Sequence, residues 1–184
     1  MPKEKEDLRN LAAEAMLEIL GSKLFPDISI TELVKKAGIS SNYFHTRIKT
    51  KEAVVEHYID TICKAYTPLR ITSYKDRLER IMTHFLRYKD PLLLLHKNGL
   101  THFFRPQIEK HYLSLATMER LTPEMEYKVL MHADAFYRLL HTWLDYGMRQ
   151  KPLELLESTK IAEAEGNAIS TDNCQVWHNL SAPC

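Results

Sequence analysis

The stretch Ser29–Glu52, SITELVKKAGISSNYFHTRIKTKE, constrains the fold more than any other part of the chain. Ser29 stands three residues before Glu32, the spacing at which a serine oxygen and a glutamate close the open end of a helix on each other. Ile30, Leu33, Val34 and Ala37 then share one helical face, and Gly38 offers the left-handed backbone that stops such a helix. Ser40 or Ser41 caps the next helix, which runs to Arg47 with Phe44 and Ile48 inward. Thr50 caps a longer one that reaches about Tyr66. Helices this short cannot bury a core of their own. They need the apolar stripe of the preceding segment, Leu8, Leu11, Ala12, Ala15, Met16, Ile19 and Leu20, to pack against.

Charge is distributed unevenly along this stretch. Lys35, Lys36, Arg47, Lys49 and Lys51 are the charged residues between positions 35 and 51, with no acid among them, although the net charge of the chain is only +1. Spacing and charge fit two readings: an ordinary packing unit with a solvated basic rim, or a helix-turn-helix whose second helix enters a DNA major groove. In the second reading Ser41, Asn42, Tyr43, His45 and Thr46 face outward with Arg47 at the rim. Lys49 and Lys51 flank the start of the next helix, whose free amides favour a phosphate.

The remaining segments also have helical period, and no alternating run reads as a strand, so the chain is expected to be all-α. Thr67-Pro68 breaks the chain. Helices are expected over Lys75–Arg87, from Asp90-Pro91 to Lys97, over Leu100–Leu115, from Thr122-Pro123 to about Arg149, and from Pro152 to near Ala164. The Thr122–Arg149 segment has two apolar sides: Val129, Ala133, Phe136, Leu140, Trp143 and Leu144 on one, and Leu130, Tyr137 and Leu144, with polar His141 between, on the other. A helix apolar on two sides buries one in its own core and offers the other to a second subunit. The last residues, Glu165–Cys184, lose the helical period.

The run SITELVKKAGISSNYFHTRIKTKEAVVEHYIDTI resembles the DNA-binding module of the TetR family of bacterial transcriptional regulators. Ser29-Ile30, Ala37-Gly38-Ile39-Ser40, Tyr43–His45 and Lys49-Thr50-Lys51-Glu52 stand at that module's separations, and the likeness spans about Leu8–Ile62. It departs at Leu24-Phe25-Pro26, where the family has a glycine and then an aromatic, and at His45, Arg47 and Ile48, where it has tyrosines and a phenylalanine. FYRLLHTWLDYGMRQKPLELLE, Phe136–Glu157, resembles the paired helices through which members dimerise. The resemblance implies a three-helix helix-turn-helix domain over residues 1–50, a helical ligand-binding and dimerisation domain over 51–165, and a tail over 166–184. It implies DNA contact through Ser29, Ser40, Ser41, Asn42, Tyr43, His45, Thr46, Arg47, Lys49 and Lys51, with His45 in the place of a phosphate-contacting tyrosine. It implies a dimer interface among Leu130, Tyr137, His141, Leu144, Leu153 and Leu156.

A ligand pocket is implied in the same way. Tyr58, Ile62, Tyr66, Met82, Phe85, His102, Phe103, His132 and Phe136 would suit a small apolar or aromatic effector, although by spacing alone such residues are more often plain core. The function implied is a homodimeric, sequence-specific regulator that binds a double-stranded operator, a repressor released by an effector. The alternative is a protein-interaction or co-activator role on the same fold.

An enzyme is not expected. The nine histidines show no HExxH, no finger spacing with the three cysteines and no nucleophile elbow, and Cys174, His178 and Cys184 are only loosely spaced. No metal and no cofactor is expected. With no long apolar run, no secretory pattern in MPKEKEDLRN and an odd cysteine count, the expected setting is cytoplasmic and away from membranes.

Overall fold

The computed structural model describes residues 2–66, 74–116 and 122–159, and among these every regular element is helical. α1 (Pro2–Leu20) leads through a three-ten turn, Phe25–Asp27, into α2 (Ile30–Ala37). Then come α3 (Ser41–Tyr43), continued by a π-helical turn over Phe44–Ile48, and α4 (Lys51–Ala65). α5 (Tyr74–Leu86), α6 (Lys89–Lys97), a three-ten turn at Leu100–Phe103, α7 (Phe104–Ala116), α8 (Pro123–Asp145) and α9 (Pro152–Thr159) follow. The expected break at Thr67-Pro68, the end of the last helix near Ala164 and the tail lie outside the described residues.

The helix ends are set locally, by the residues that the spacing singles out. Ser29, Ser40, Thr50 and Thr122 each accept a hydrogen bond from the backbone N–H three residues on, at 3.1, 3.1, 3.1 and 3.3 Å. Gly38, at φ 65°, closes α2. Its N–H reaches the Lys35 carbonyl and that of Ile39 reaches the Val34 carbonyl, a pair of bonds that requires the left-handed residue between them. The same device ends α8 four residues short of the expected Arg149. Gly147 N–H bonds to the Leu144 carbonyl and Met148 N–H to that of Trp143, with Gly147 and Met148 both at positive φ.

One continuous core runs through the described residues. At the N-terminal end α1 packs on α2 and α4, burying Ala12, Met16, Ile19, Leu33, Val34, Ala37, Ile39, Phe44 and Ile48 together. Further along, α4 packs on α7, and α7 lies along α8. The inner side of α8, Val129, Ala133, Phe136, Leu140, Trp143 and Leu144, is buried. No described helix is long and apolar enough to cross a membrane.

Candidate nucleic-acid interface

The corner between α2 and α4 is built from the inside out. Phe44 is fully buried and Ile48 nearly so, anchored on Leu33, Val34, Ala37 and Ile39 of the same core. With these two side chains inward, Ser40, Ser41, Asn42, His45, Thr46, Arg47 and Lys49 are exposed. Tyr43 is half-buried against the core, so only part of its ring joins that surface. The His45 ring meets the edge of Phe44 at 5.8 Å between centroids.

Several polar groups here already have backbone tasks. The Ser29 and Ser40 oxygens cap helices, which leaves each a hydroxyl proton to donate. The Thr46 hydroxyl donates to the Asn42 carbonyl at 2.7 Å and keeps its oxygen as an acceptor. The Arg9 guanidinium of α1 donates to the Arg47 carbonyl at 2.7 Å and ties α1 to the corner without engaging the Arg47 side chain.

The segment expected to be one regular helix to Arg47 changes pitch at Phe44. The Lys49 N–H bonds to the Phe44 carbonyl at 2.7 Å, and Lys49 is held at φ 79° and ψ −49°. A lysine in that region is strained, by about 1–3 kcal/mol. This wide turn carries the exposed residues up to the Thr50 cap of α4.

The sequence reading misplaces Lys51. Its ammonium points back into the protein and donates to the carbonyls of Phe25, Pro26 and Ile28 at 2.9, 3.3 and 2.6 Å, while lying 4.9 Å from the centre of the Phe25 ring. An ammonium has three donors. All three serve the three-ten turn, so Lys51 is a structural clamp and is removed from the interface. Three cations of the corner, Lys35, Arg47 and Lys49, face no carboxylate among the described residues. Lys36 pairs with Glu18, and Lys23 pairs with Glu32 at 2.7 Å.

The residues expected to line an apolar pocket are not gathered into one site. Ile62, Met82, Phe85 and Phe136 are core, with Phe85 and Phe136 ring to ring at 5.3 Å. His102 is exposed on the Leu100–Phe103 turn beside the half-buried Phe103, and the half-buried His132 sits on α8. Burial, then Tyr88 and Glu14, push the Tyr58 hydroxyl up to about 12, so it stays a neutral donor. Tyr66 lines an open cleft of about 510 Å³ between the end of α4 and α5. Its other walls bring the polar side chains of Asp76, Glu79, Arg80, Thr83, His84 and Arg87 to an otherwise apolar surface. His84 is buried there and its Nε2 lies 2.8 Å from the Ile62 carbonyl, while the Tyr66 hydroxyl is buried without a hydrogen-bond partner among the described residues. The apolar faces of α4, α5 and α8 meet in the common core.

The expected interface residues divide in two. Leu144 and Leu156 are each 1% exposed and belong to the protomer's own core. Leu130, Tyr137 and His141 are half-buried on α8, and Leu153 is 41% exposed on α9. The sequence reading overlooked Tyr127 and Met131, 70% and 72% exposed one turn apart on α8. Their i,i+4 spacing was the available signal.

Of the cysteines, Cys63 is described. Burial pushes its thiol up to about 12, so it offers no thiolate for chemistry. Comparison of the chain with protein-family models, with curated proteins and with solved structures finds no match.

Proposed function

We propose that this chain is a DNA-binding transcriptional regulator in which Ser41–Arg47 forms the reading helix of a helix-turn-helix. One observation carries the reading. The corner exposes a continuous run of small polar side chains over a buried Phe44–Ile48 anchor, bordered by two cations, Arg47 and Lys49, that no carboxylate among the described residues answers.

A major groove about 12 Å wide admits a helix, and serine, asparagine and threonine have the donors and acceptors to address base edges. Lys49 stands beside the Thr50-capped start of α4, where lysine charge and helix amides would act on the same phosphate. The resemblance of Ser29–Glu52 to the TetR module supports the same assignment.

Such a regulator works as a homodimer, with its two reading helices about 34 Å apart. The exposed part of α8 and α9, with Tyr127, Leu130, Met131, Tyr137 and Leu153, is the surface available for pairing. In a repressor released by a small molecule, the effector must prefer the arrangement that DNA does not. The cleft at Tyr66 and α5, whose walls carry both charged groups and apolar surface, would seat it.

Selection of bound fragments from a random double-stranded pool, followed by mobility shift, tests the reading. The expected result is a palindromic motif bound by a dimer, with affinity falling steeply as salt rises. A protein that runs as a dimer and shifts no DNA at low salt would overturn it. The second reading, a protein-interaction module, would then stand on the exposed Tyr127 and Met131.

A further inference from the structure

His96 of α6 converges on His141 and Asp145 of α8 where the ends of the two helices meet. His96 Nε2 lies 3.1 Å from one carboxylate oxygen of Asp145, and His141 Nδ1 lies 3.2 Å from the other. The two imidazoles meet edge to face at 5.4 Å. One ligand atom from each residue falls within 4.8 Å of the other two.

We propose that His96, His141 and Asp145 form a Zn²⁺ site, two nitrogens and one oxygen with the fourth position open to water. Zinc holds such ligands at about 2.0–2.2 Å in a tetrahedron, whose edges are then roughly 3.3 Å. Each nitrogen already lies at nearly that distance from an Asp145 oxygen, His96 from Oδ1 and His141 from Oδ2, so a metal would enter as the carboxylate turns one oxygen between the two imidazoles.

The scaffold is fixed. His141 and Asp145 are one turn apart on α8, and Lys89, at the other end of α6, donates to the Met148 carbonyl at 3.1 Å. All three side chains keep some exposure, which leaves room for the water. Two imidazoles and a single carboxylate suit zinc and its first-row neighbours over magnesium or calcium. His96 Nδ1 is buried with no hydrogen-bond partner among the described residues. A ligating imidazole is usually oriented by an acceptor at that nitrogen, so its absence limits the affinity of the site.

The site stands independently of DNA binding. The test is zinc titration of the full chain, stripped of metal by chelator, against a competing chelator. Magnesium is the control, and cobalt reports tetrahedral coordination through its visible absorption. Partners are His141→Ala, Asp145→Ala, each checked for an unchanged melting profile, and a Cys174→Ser/Cys184→Ser double variant. The expected result is one zinc per chain, weakened at least about tenfold in each of the first two variants and unchanged in the third. Unchanged affinity in either single variant would overturn the assignment, as would loss of binding in the cysteine variant alone. No saturable zinc binding would leave Asp145 as a hydrogen-bond bridge between two imidazoles.

Discussion

In the α4–α9 body most cations are answered by a carboxylate of the chain itself. Arg80 meets Asp76, Arg105 meets Glu109 and Asp134, Lys128 meets Glu124, Arg138 meets Asp134, and Lys64 and Lys110 both meet Asp60. In the α2–α4 corner, Lys35, Arg47 and Lys49 are left over among the described residues, and Lys51 is answered by carbonyls instead. The difference separates charges that hold a protein together from charges available to something outside it. Surface pairs of the first kind contribute little each, about 0–1 kcal/mol. Unanswered cations contribute nothing to the fold and retain their full attraction for a phosphate.

The sharpest way to break this contrast is to compare two lysines two residues apart. Lys51→Ala removes three hydrogen bonds from a charged donor and leaves the Phe25 and Ile28 carbonyls, both partly buried, without it. The expected cost is about 2–3 kcal/mol in denaturant unfolding. Lys49→Ala is expected to leave stability within about 0.5 kcal/mol. It should instead weaken binding to all DNA sequences alike and lower the log–log salt slope by about 0.9. A Lys51 variant of normal stability, or a Lys49 variant defective at one operator position only, would dissolve the distinction.

Within the corner itself, Asn42 and Lys49 should separate along a second line. Asn42→Ala is expected to change which base is selected, by about 1–3 kcal/mol of discrimination, with little change in non-specific affinity. An unchanged selection profile would remove Asn42 from the reading surface. Lys49→Gly should raise stability by about 1 kcal/mol, because glycine takes φ 79° without the strain a side chain meets there. Unchanged or reduced stability would mean that the turn does not strain Lys49.

Capping was legible from sequence because it is local. Ser29, Ser40, Thr50 and Thr122 each act on an amide three residues away, a spacing that the letters display. The buried stripe of α8 was legible for the same reason, through its helical period. Lys51 was not, because its partners lie 23 to 26 residues back in the chain and only the fold brings them near. The packing of the aromatic set was hidden for a related reason. Period shows that Phe85 and Phe136 face inward, but not whether the space between their helices is filled or open. Leu144 and Leu156 show the same limit. An apolar position says buried, and not whether in this protomer or against another. Of the His96, His141 and Asp145 cluster, only the i,i+4 pair on α8 could be read from spacing.

The smallest expected effect concerns pH and tests the body's side of the contrast. Burial works against the Asp60 carboxylate, but hydrogen bonds from Lys64 and Lys110 outweigh it and hold the carboxyl below its ordinary value. An acid whose folded pKa is depressed contributes stability that is present above its unfolded value, near 3.9, and is lost as pH falls through the folded one. His111 acts in a separate window. Burial, then the neighbouring His84, lower its pKa, so the unfolded chain takes up that proton first and stability falls as pH drops below about 6.5. Unfolding midpoints measured from pH 8 to pH 2 should therefore decline in two steps. Asp60→Asn should flatten the lower step, and by less than about 1 kcal/mol, because Lys64 and Lys110 are solvent-exposed. His111→Gln should flatten the upper step alone. If Asp60→Asn leaves the acid limb unchanged, the ion pairs joining α4 to α7 are ornaments of the surface, and the body's cations are no more committed to the fold than Arg47 and Lys49.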